Sequence, residues 1–440
     1  MHLYGTQAIN DQGHLTIGGT DTVELAKEYG TPLFVYDIQL FRDRAKAFQK
    51  TFEDEAIGYQ VAYASKAFSS IAIYQVAAEE KLSLDVVSGG ELYTAVQAGF
   101  PKEKIHFHGN NKSEAELRMA FKEEIGCIVV DNFYEIELLK KLSEELEQPM
   151  NILLRVTPGV EAHTHDYITT GQEDSKFGFD LKNGQAEEAF LRTYDHPFLK
   201  LMGLHCHIGS QIFDTTGFQV AAEKLVEKMS GWEEKHGYRC TVLNLGGGFG
   251  IRYTDEDQPL EPAVYVRDMI RTVKKVSAAA GYKVPEIWIE PGRSLVGDAG
   301  TTLYTVGSMK EVPNLRKYAA VDGGMSDNIR PALYGAKYSS ILANKATSEA
   351  NEKYTIAGKL CESGDKLIEE AILPSMEAGD ILSVFCTGAY GYSMASNYNR
   401  IGRPAVVFVE NGEHQLVVRR ESNEDLISHD MSYKQKVKGK

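Results

Sequence analysis

Short apolar runs alternate with helix-like segments through the middle of the chain. The runs are rich in β-branched residues, whereas apolar residues in the segments between them recur at spacings of three and four. There are eight such runs: YQVAYAS (59–65), LSLDVVS (82–88), KIHFHG (104–109), CIVVDN (127–132), NILLRV (151–156), LMGLHCH (201–207), TVLNLGGG (241–248) and EIWIEPG (286–292). This alternation predicts an α/β protein with a parallel sheet, and eight strands close a (β/α)8 TIM-type barrel.

Both ends of the chain have a different pattern. After about residue 297, strand-like runs follow one another without long helices, and two of them, AVVFVE and HQLVVRR, are joined at NGE as in a hairpin. HLTIGG and TPLFVYD near the start also resemble strands. We therefore predict a second, mostly β domain from residues 1–35 and 298–440, with the barrel over 36–297 inserted between them.

One connection is unlike the others. The stretch 157–184, TPGVEAHTHDYITTGQEDSKFGFDLKNG, is long, polar and punctuated by glycine. Loops of this length inside a compact domain are usually functional, so we predict a lid-like loop over a site.

Composition limits the classes of partner and compartment. The chain is 43% hydrophobic and 25% charged, as in a soluble globular protein, and its net charge of −15 disfavours nucleic acids and anionic membranes. Small molecules remain as ligands. The five cysteines are scattered without CxxC spacing, so neither a disulfide framework nor a structural zinc site is predicted. The first residues lack the regions of a signal peptide and no apolar run could span a bilayer, so we expect a cytoplasmic protein.

Several chemically distinctive residues fall at the ends of predicted strands. Lys66 follows the first run, His207 ends the sixth, GGGFG (246–250) follows the seventh, and Glu290 and Arg293 follow the eighth. Taken singly, most of these features have a simpler explanation. Lys66 could be a solvated loop residue, GGGFG a turn, and Glu290 with Arg293 a surface ion pair. In a parallel barrel, however, the carboxyl ends of all strands meet at one rim, where active sites form. Their convergence therefore favours a functional site.

Together these groups suit one cofactor. A lysine can attach an aldehyde covalently, a glycine-rich turn can bind phosphate, a carboxylate can keep a pyridine nitrogen protonated, and an imidazole can stack on a ring. These are the requirements of pyridoxal 5′-phosphate. We also expect Lys66 to be partly removed from water, at the end of a buried strand.

Seven longer motifs strengthen this interpretation. They are YASKAF (63–68), HCHIGSQ (205–211), LGGGFGI (245–251), EPGRSLV (290–296), RPALYGA (330–336), CESGD (361–365) and GAYGYSMASNYN (388–399). In order and spacing the chain resembles the fold-type III decarboxylases of the alanine racemase superfamily, and among them the diaminopimelate decarboxylases, over nearly its whole length. Two positions depart from the usual pattern: Phe68 stands where asparagine is frequent, and Leu333 where methionine is common.

The resemblance implies a role for each site residue. Lys66, His207 and Cys361 would be catalytic, with Lys66 carrying the cofactor and Cys361 returning a proton to the substrate carbon. The implied cofactor-binding residues are Lys66, His207, Ser210, Gly246, Gly247, Gly248, Glu290, Gly292, Arg293 and Tyr390. Those implied for the substrate are Arg293, Arg330, Tyr334, Glu362 and Tyr390. In this family the segment around Cys361 comes from the partner subunit, which implies a homodimer with sites at the interface.

The implied reaction is decarboxylation of meso-2,6-diaminopimelate to L-lysine and carbon dioxide, the last step of lysine biosynthesis. The alternatives are a decarboxylase of a related basic amino acid or polyamine precursor, an alanine racemase, a catalytically silent cofactor-binding homologue, which would be expected to have lost Lys66 or CESGD, and a metal-dependent barrel hydrolase. The last rests on the pairs His106/His108, His163/His165 and His205/His207, since alternate strand residues face one side and could bind a metal. A metal site would leave Lys66 and GGGFG unexplained, so we predict none.

Overall fold

The computed structural model describes residues 2–160 and 175–433, and the chain forms two compact units. The barrel unit comprises Met1–Gly5, Asp37–Gly300 and Gly388–Ser393, and the terminal unit comprises Thr6–Tyr36, Thr301–Thr387 and Met394–Lys440. The sequence-based limits placed residues 388–393 in the terminal domain, whereas the structure places them in the barrel unit. The backbone N–H of Gly388 donates to the Gly297 carbonyl, and that of Tyr390 to the Ala67 carbonyl.

The barrel unit contains a closed ring of eight parallel strands, so the predicted (β/α)8 architecture is confirmed. The strands, in chain order, are Tyr59–Ala64, Ser83–Val86, Ile105–Phe107, Cys127–Val130, Met150–Thr157, Leu199–His205, Val242–Asn244 and Glu286–Ile289. We number them as barrel strands one to eight. Closure is made where strand eight pairs with strand one, with Ile287 opposite Tyr59.

Helices follow the strands and cover the barrel. The α-helices of this unit are Ile38–Asp54, Ile71–Glu79, Gly89–Gln97, Glu114–Lys122, Phe133–Leu146, Gln185–Thr193, Thr216–His236, Pro262–Ala279 and Arg293–Val296. Several begin at the capping residues that the sequence offers. Ser113, for example, accepts from the Glu116 N–H while the Glu116 side chain reaches back to the Ser113 backbone, which satisfies two N–H groups at once. Helix Ile38–Asp54 buries Phe41, Phe48 and Phe52 completely.

The predicted lid-like loop is described only in part. Residues 161–174, including His163 and His165, lie outside the described residues. Within the described remainder of the loop, Phe179–Asp180 is a short strand that runs parallel to the end of barrel strand five. The Gly178 N–H donates to Asp131 Oδ1 at 3.1 Å, which fixes the entry into that strand.

The terminal unit is mostly β, as predicted. Its strands are Ala8–Ile9, Leu15–Ile17, Thr20–Asp21, Leu33–Asp37, Gly300–Val312, Arg316–Val321, Ser340–Leu342, Glu352–Ala357, Lys366–Leu373, Ile381–Val384, Ala405–Glu410 and Glu413–Val418, and its helices are Thr22–Tyr29, Arg330–Tyr334 and Asn423–Leu426. Leu33–Asp37 lies between Gly300–Val312 and Ala405–Glu410 in one sheet, so both chain ends build it. The predicted hairpin is present, with Asn411 and Gly412 at φ 54° and 81° in its turn. Among the described residues, no helix combines the length and apolar character that crossing a membrane requires.

Candidate active site

Lys66 lies at the carboxyl end of barrel strand one, on the short 3-10 turn Ser65–Ala67. Ser65 and Ala67 are fully buried, but the Lys66 side chain is exposed. Lys66 is therefore more exposed than expected. The strand has ended at Ala64, and the short turn that follows buries Ser65 and Ala67 but leaves the residue between them exposed.

A carboxylate that the sequence did not reveal holds this turn. Glu91 Oε2 accepts from Ser65 Oγ at 2.6 Å and from the Val87 N–H at 2.7 Å. Burial raises the pKa of Glu91, while its two hydrogen bonds and the charge of Lys66 oppose that shift. Glu91 therefore links the ends of strands one and two on the side where Lys66 lies.

His207 lies just after barrel strand six, and its Nδ1 accepts from the Gly247 N–H at 3.3 Å. Burial, followed by the positive charge of Lys66, lowers the pKa of His207 well below its usual value. Both observations indicate a neutral imidazole whose Nδ1 carries no proton. A neutral, flat ring in a fixed orientation suits the stacking role that the resemblance implies.

The glycine turn after strand seven tolerates no larger residue. Gly246 and Gly248 have φ values of 69° and 106°, and a Cβ at Gly247 would overlap the carbonyl oxygen of Glu290. The Gly246 N–H donates to Asn244 Oδ1 at 2.9 Å, and that of Gly247 to His207. Of these three amides, only that of Gly248 lacks an acceptor among the described residues, so it is the one best placed to bind a phosphate oxygen.

Glu290 is buried, with 8% of its surface exposed, at the end of barrel strand eight. Its carboxylate accepts from Asn244 Nδ2 at 2.6 Å and lies 3.1 Å from His205 Nε2. Burial, and then the neighbouring Asp85, raises the pKa of Glu290 above its usual value. A buried carboxylate with a raised pKa is suited to share a proton with a basic ring nitrogen. Asn244 was not predicted, and His205 was considered only as part of the HxH pair His205/His207, although each is a polar residue at the end of an apolar strand.

A further group of polar side chains surrounds Glu290. His108 Nε2 lies 3.4 Å from both Glu290 Oε1 and Asp85 Oδ1, and His106 Nδ1 lies 3.4 Å from the same Asp85 atom. His108, His205 and Glu290 are close enough together to hold a metal ion. This group is not one of the predicted HxH pairs, because it takes a single histidine from each of two pairs. The two imidazoles also lie within reach of the Glu290 carboxylate as hydrogen-bond partners, whereas the nearby Asp85 opposes its charge.

Arg293 does not form the surface ion pair with Glu290 that was its simpler explanation. It is 7% exposed, and its guanidinium donates to Ser210 Oγ at 2.9 Å and to the Tyr253 hydroxyl. The guanidinium also lies 5.0 Å from the Tyr390 ring centre. Ser210, Arg293 and Tyr390, all predicted cofactor residues, are thus brought together, with Tyr253 as a member that the sequence did not reveal.

Gly292 joins the ends of the first and last barrel strands. A Cβ at this position would lie 3.0 Å from the Ala64 Cβ and 3.3 Å from the Ala67 Cβ, which is tight packing. The Ala64 N–H donates to the Pro291 carbonyl at 3.2 Å in the same place. Gly292 therefore acts by letting the Glu290 segment pack against the Lys66 turn. The predicted barrel-unit residues all lie on this rim, as the fold required.

Four predicted residues belong to the terminal unit. Arg330 is buried, its Nε donates to the Tyr338 hydroxyl at 3.0 Å, and its guanidinium lies 5.7 Å from the Tyr334 ring centre. Cys361 and Glu362 are exposed on the loop between strands Glu352–Ala357 and Lys366–Leu373. Arg330 and Tyr334 share one short helix, while Cys361 and Glu362 are adjacent on this loop.

Comparison with known proteins places these residues in a family. Residues 38–297 match the model of the pyridoxal-dependent decarboxylase, pyridoxal binding domain. The chain is 65% identical to the diaminopimelate decarboxylase of Bacillus methanolicus, over 96% of this chain and 97% of that protein. It is 63% identical to that of Bacillus subtilis, over the full length of both.

Solved structures agree. The crystal structure of diaminopimelate decarboxylase from M. jannaschii in co-complex with L-lysine is 36% identical, covers 97% of this chain and 98% of its own, and has a TM-score of 0.90. The arrangement of the rim agrees with the family's cofactor, because a lysine, a neutral imidazole, a buried carboxylate and a glycine turn meet there, and one amide of that turn has no acceptor in the part of the chain that the structure describes. The chain therefore belongs to the diaminopimelate decarboxylase family, whose members depend on pyridoxal 5′-phosphate.

Proposed function

We propose that the protein decarboxylates meso-2,6-diaminopimelate to L-lysine and carbon dioxide, the last step of lysine biosynthesis. The observation that carries the proposal is the buried Glu290, held by Asn244 and His205 on the same rim as Lys66 and His207. A carboxylate kept out of water by polar partners is what a decarboxylase needs to hold a pyridine nitrogen protonated. Relatives of that name, matching across the whole chain, support the choice of substrate.

The barrel unit would hold the cofactor. Lys66 would attach its aldehyde, His207 would pack on its ring, Glu290 would bind the ring nitrogen, and Gly248 with Ser210 would bind the phosphate. Pyridoxal phosphate supplies an electron sink for the pair of electrons left when carbon dioxide departs. Arg293, fixed by Ser210 and Tyr253, presents a positive charge beside that phosphate position.

The terminal unit would recognise the substrate. Arg330 and Tyr334 would bind the distal carboxylate and Glu362 the distal ammonium, which matches the charges of diaminopimelate. Arginine suits a carboxylate because its planar fork donates two parallel hydrogen bonds. Cys361 would return a proton to the substrate carbon after carbon dioxide leaves.

We further propose a homodimer in which the Cys361 and Glu362 loop completes the site of the partner subunit. Both side chains are exposed on their own chain, which leaves them available to a second copy. A cytoplasmic location is also proposed, supported by the five cysteines, none of which forms a disulfide among the described residues.

The experiment is to incubate the purified protein with meso-diaminopimelate and to quantify L-lysine and carbon dioxide. L-lysine and L-ornithine are tested as alternative substrates in separate incubations. Equimolar products from diaminopimelate alone support the proposal. Release of carbon dioxide from L-lysine or L-ornithine at comparable kcat/KM would overturn it in favour of a basic amino acid decarboxylase.

Arg330→Ala tests the distal carboxylate. Loss of two charge-assisted hydrogen bonds should lower kcat/KM by about 100-fold or more while cofactor content stays unchanged. Arg316→Ala is the matched control, because Arg316 lies 5.6 Å from the Tyr318 ring centre on the same unit, in an arrangement like that of Arg330 over Tyr334. Equal activity of the two variants would remove Arg330 from the proposal.

A further inference from the structure

The loop that carries Cys361 and Glu362 is exposed in its middle and buried at both ends. Residues 361–364 are exposed, whereas Leu360 and Asp365 at its two ends are 7% and 3% exposed. A serine and a glycine, Ser363 and Gly364, lie in its middle, and such residues by themselves leave a loop free to move. Two side chains outside any assigned role oppose that freedom.

The first is Asp365, which closes the loop on itself. Its Oδ2 accepts from the Leu360 N–H at 2.9 Å, and its Oδ1 accepts from the Met325 N–H at 2.7 Å. Gly324 and Gly358 lie against this carboxylate so closely that a Cβ on either would overlap it. The carboxylate therefore fastens both ends of the loop to a neighbouring turn.

The second is Asn399, which acts on Cys361 directly. Its side-chain oxygen accepts from the Cys361 N–H at 2.8 Å, across 38 positions of sequence. Asn399 has φ 53°, a left-handed conformation that asparagine tolerates better than most residues. Its own turn is fastened in place, because the Ser396 N–H donates to the Ser326 carbonyl at 2.8 Å and Asn397 Nδ2 donates to Glu421 at 2.6 Å.

From these contacts we infer that Asn399 is a positioning residue for the reaction, which fixes the backbone at Cys361 and so the direction from which its thiol approaches the substrate. The inference rests on the proposed role of Cys361. The left-handed backbone alone would explain an asparagine here, but not why its carbonyl meets the one amide that belongs to the proposed proton donor. Because Asp365 holds both ends of the loop, this single hydrogen bond is enough to set the orientation of the Cys361 backbone.

The test separates the hydrogen bond from the backbone conformation. Asn399→Gly keeps the left-handed conformation and removes the acceptor, whereas Asn399→Asp keeps both. In the holoenzyme with meso-diaminopimelate, Asn399→Gly should lower kcat roughly 3- to 10-fold, as expected for one lost hydrogen bond, with a smaller change in KM and an increased solvent deuterium isotope effect on kcat. Asn399→Asp should restore most of the rate.

Asn411→Gly is the matched control, because Asn411 has φ 54° in an exposed hairpin turn of the same unit. It should leave kcat unchanged. Amide hydrogen exchange should be faster in the peptide that spans residues 358–366 for Asn399→Gly alone, a readout that remains available even where activity is lost.

A double-mutant cycle decides the matter. If Asn399 acts through Cys361, then Asn399→Gly should have little further effect on kcat in a Cys361→Ala background. A full additional 3- to 10-fold loss there, or wild-type kcat for Asn399→Gly alone, would overturn the inference. Failure of the wild-type protein to decarboxylate diaminopimelate would instead overturn the proposed function, so the two failures are distinguishable.

Discussion

Replacement of Glu290 by glutamine tests the central electrostatic feature of the rim. The glutamine side chain has nearly the same shape, and the oxygen of its amide can still accept from Asn244, which donates to Glu290 at 2.6 Å. The amide nitrogen becomes a donor facing His205 Nε2, where a carboxylate oxygen now lies 3.1 Å away. We expect the Glu290→Gln variant to fold, because His205 can satisfy the new donor by presenting an unprotonated Nε2.

The Glu290→Gln variant therefore loses the negative charge of the carboxylate but keeps the packing of the side chain. A hydrogen bond to a charged partner is worth about 1.5–3 kcal/mol, so kcat should fall about 10- to 150-fold. The assay is steady-state decarboxylation of meso-diaminopimelate, with cofactor content measured by absorbance for each preparation. Glu290→Asp is the companion variant, since it keeps the charge but shortens the side chain, and it should retain more activity than Glu290→Gln. A kcat for Glu290→Gln within twofold of wild type, at full cofactor content, would refute the role assigned to this carboxylate.

Three further predictions concern other side chains. Purified wild-type protein should be yellow and should fix the cofactor on borohydride treatment; Lys66→Ala should fix none, and covalent labelling elsewhere would contradict the assignment. Cys361→Ala should lower kcat roughly 100-fold or more, the usual contribution of a positioned acid, without loss of cofactor; a smaller effect would mean that another group supplies the proton. Burial raises the pKa of Asp327 from 3.8 to about 7, so between these pH values the folded state holds a proton that the unfolded state has released. The free energy of unfolding therefore falls as pH rises from about 4 to 7, by at most about 4 kcal/mol. Asp327→Asn should therefore raise Tm at pH 8 but not at pH 4, and an equal effect at both pH values would exclude this explanation.

The barrel could be predicted because the spacing of apolar residues distinguishes strands from helices. Its rim could be predicted because the chemically distinctive residues follow the ends of strands. Each of the eight barrel strands overlaps an apolar run of six to eight residues, long enough to recognise, and Lys66, His207 and Glu290 lie within two residues of the ends of three strands. Strand Lys366–Leu373 is hard to recognise from the sequence because charged residues interrupt its apolar pattern, KLIEEAIL. Strand Ser340–Leu342 has only three residues, too few to show a period.

The partners of the site residues were harder to predict. Glu290 meets Asn244 and His205 across 46 and 85 positions of sequence, and the three residues come together because strands six, seven and eight pair side by side in the folded sheet. The exposure of Lys66 was harder to predict for a local reason: it depends on the turn after the strand, and here the 3-10 turn Ser65–Ala67 leaves its middle residue exposed. Sequence thus indicated which groups gather at the rim, but not which of them face solvent or share protons.

Residues Gly388–Ser393 belong to the barrel unit although they lie far along the chain, and this limits which fragments of the protein contain a complete rim. A fragment cut at Gly300 would keep all eight barrel strands and the residues from Lys66 to Arg293, yet it would lack Tyr390, whose ring faces Arg293 and whose backbone holds the Ala67 carbonyl. During synthesis, the rim stays incomplete until the ribosome has produced nearly nine-tenths of the chain. The barrel cut at Gly300 is therefore a poor candidate for expression as an independent module.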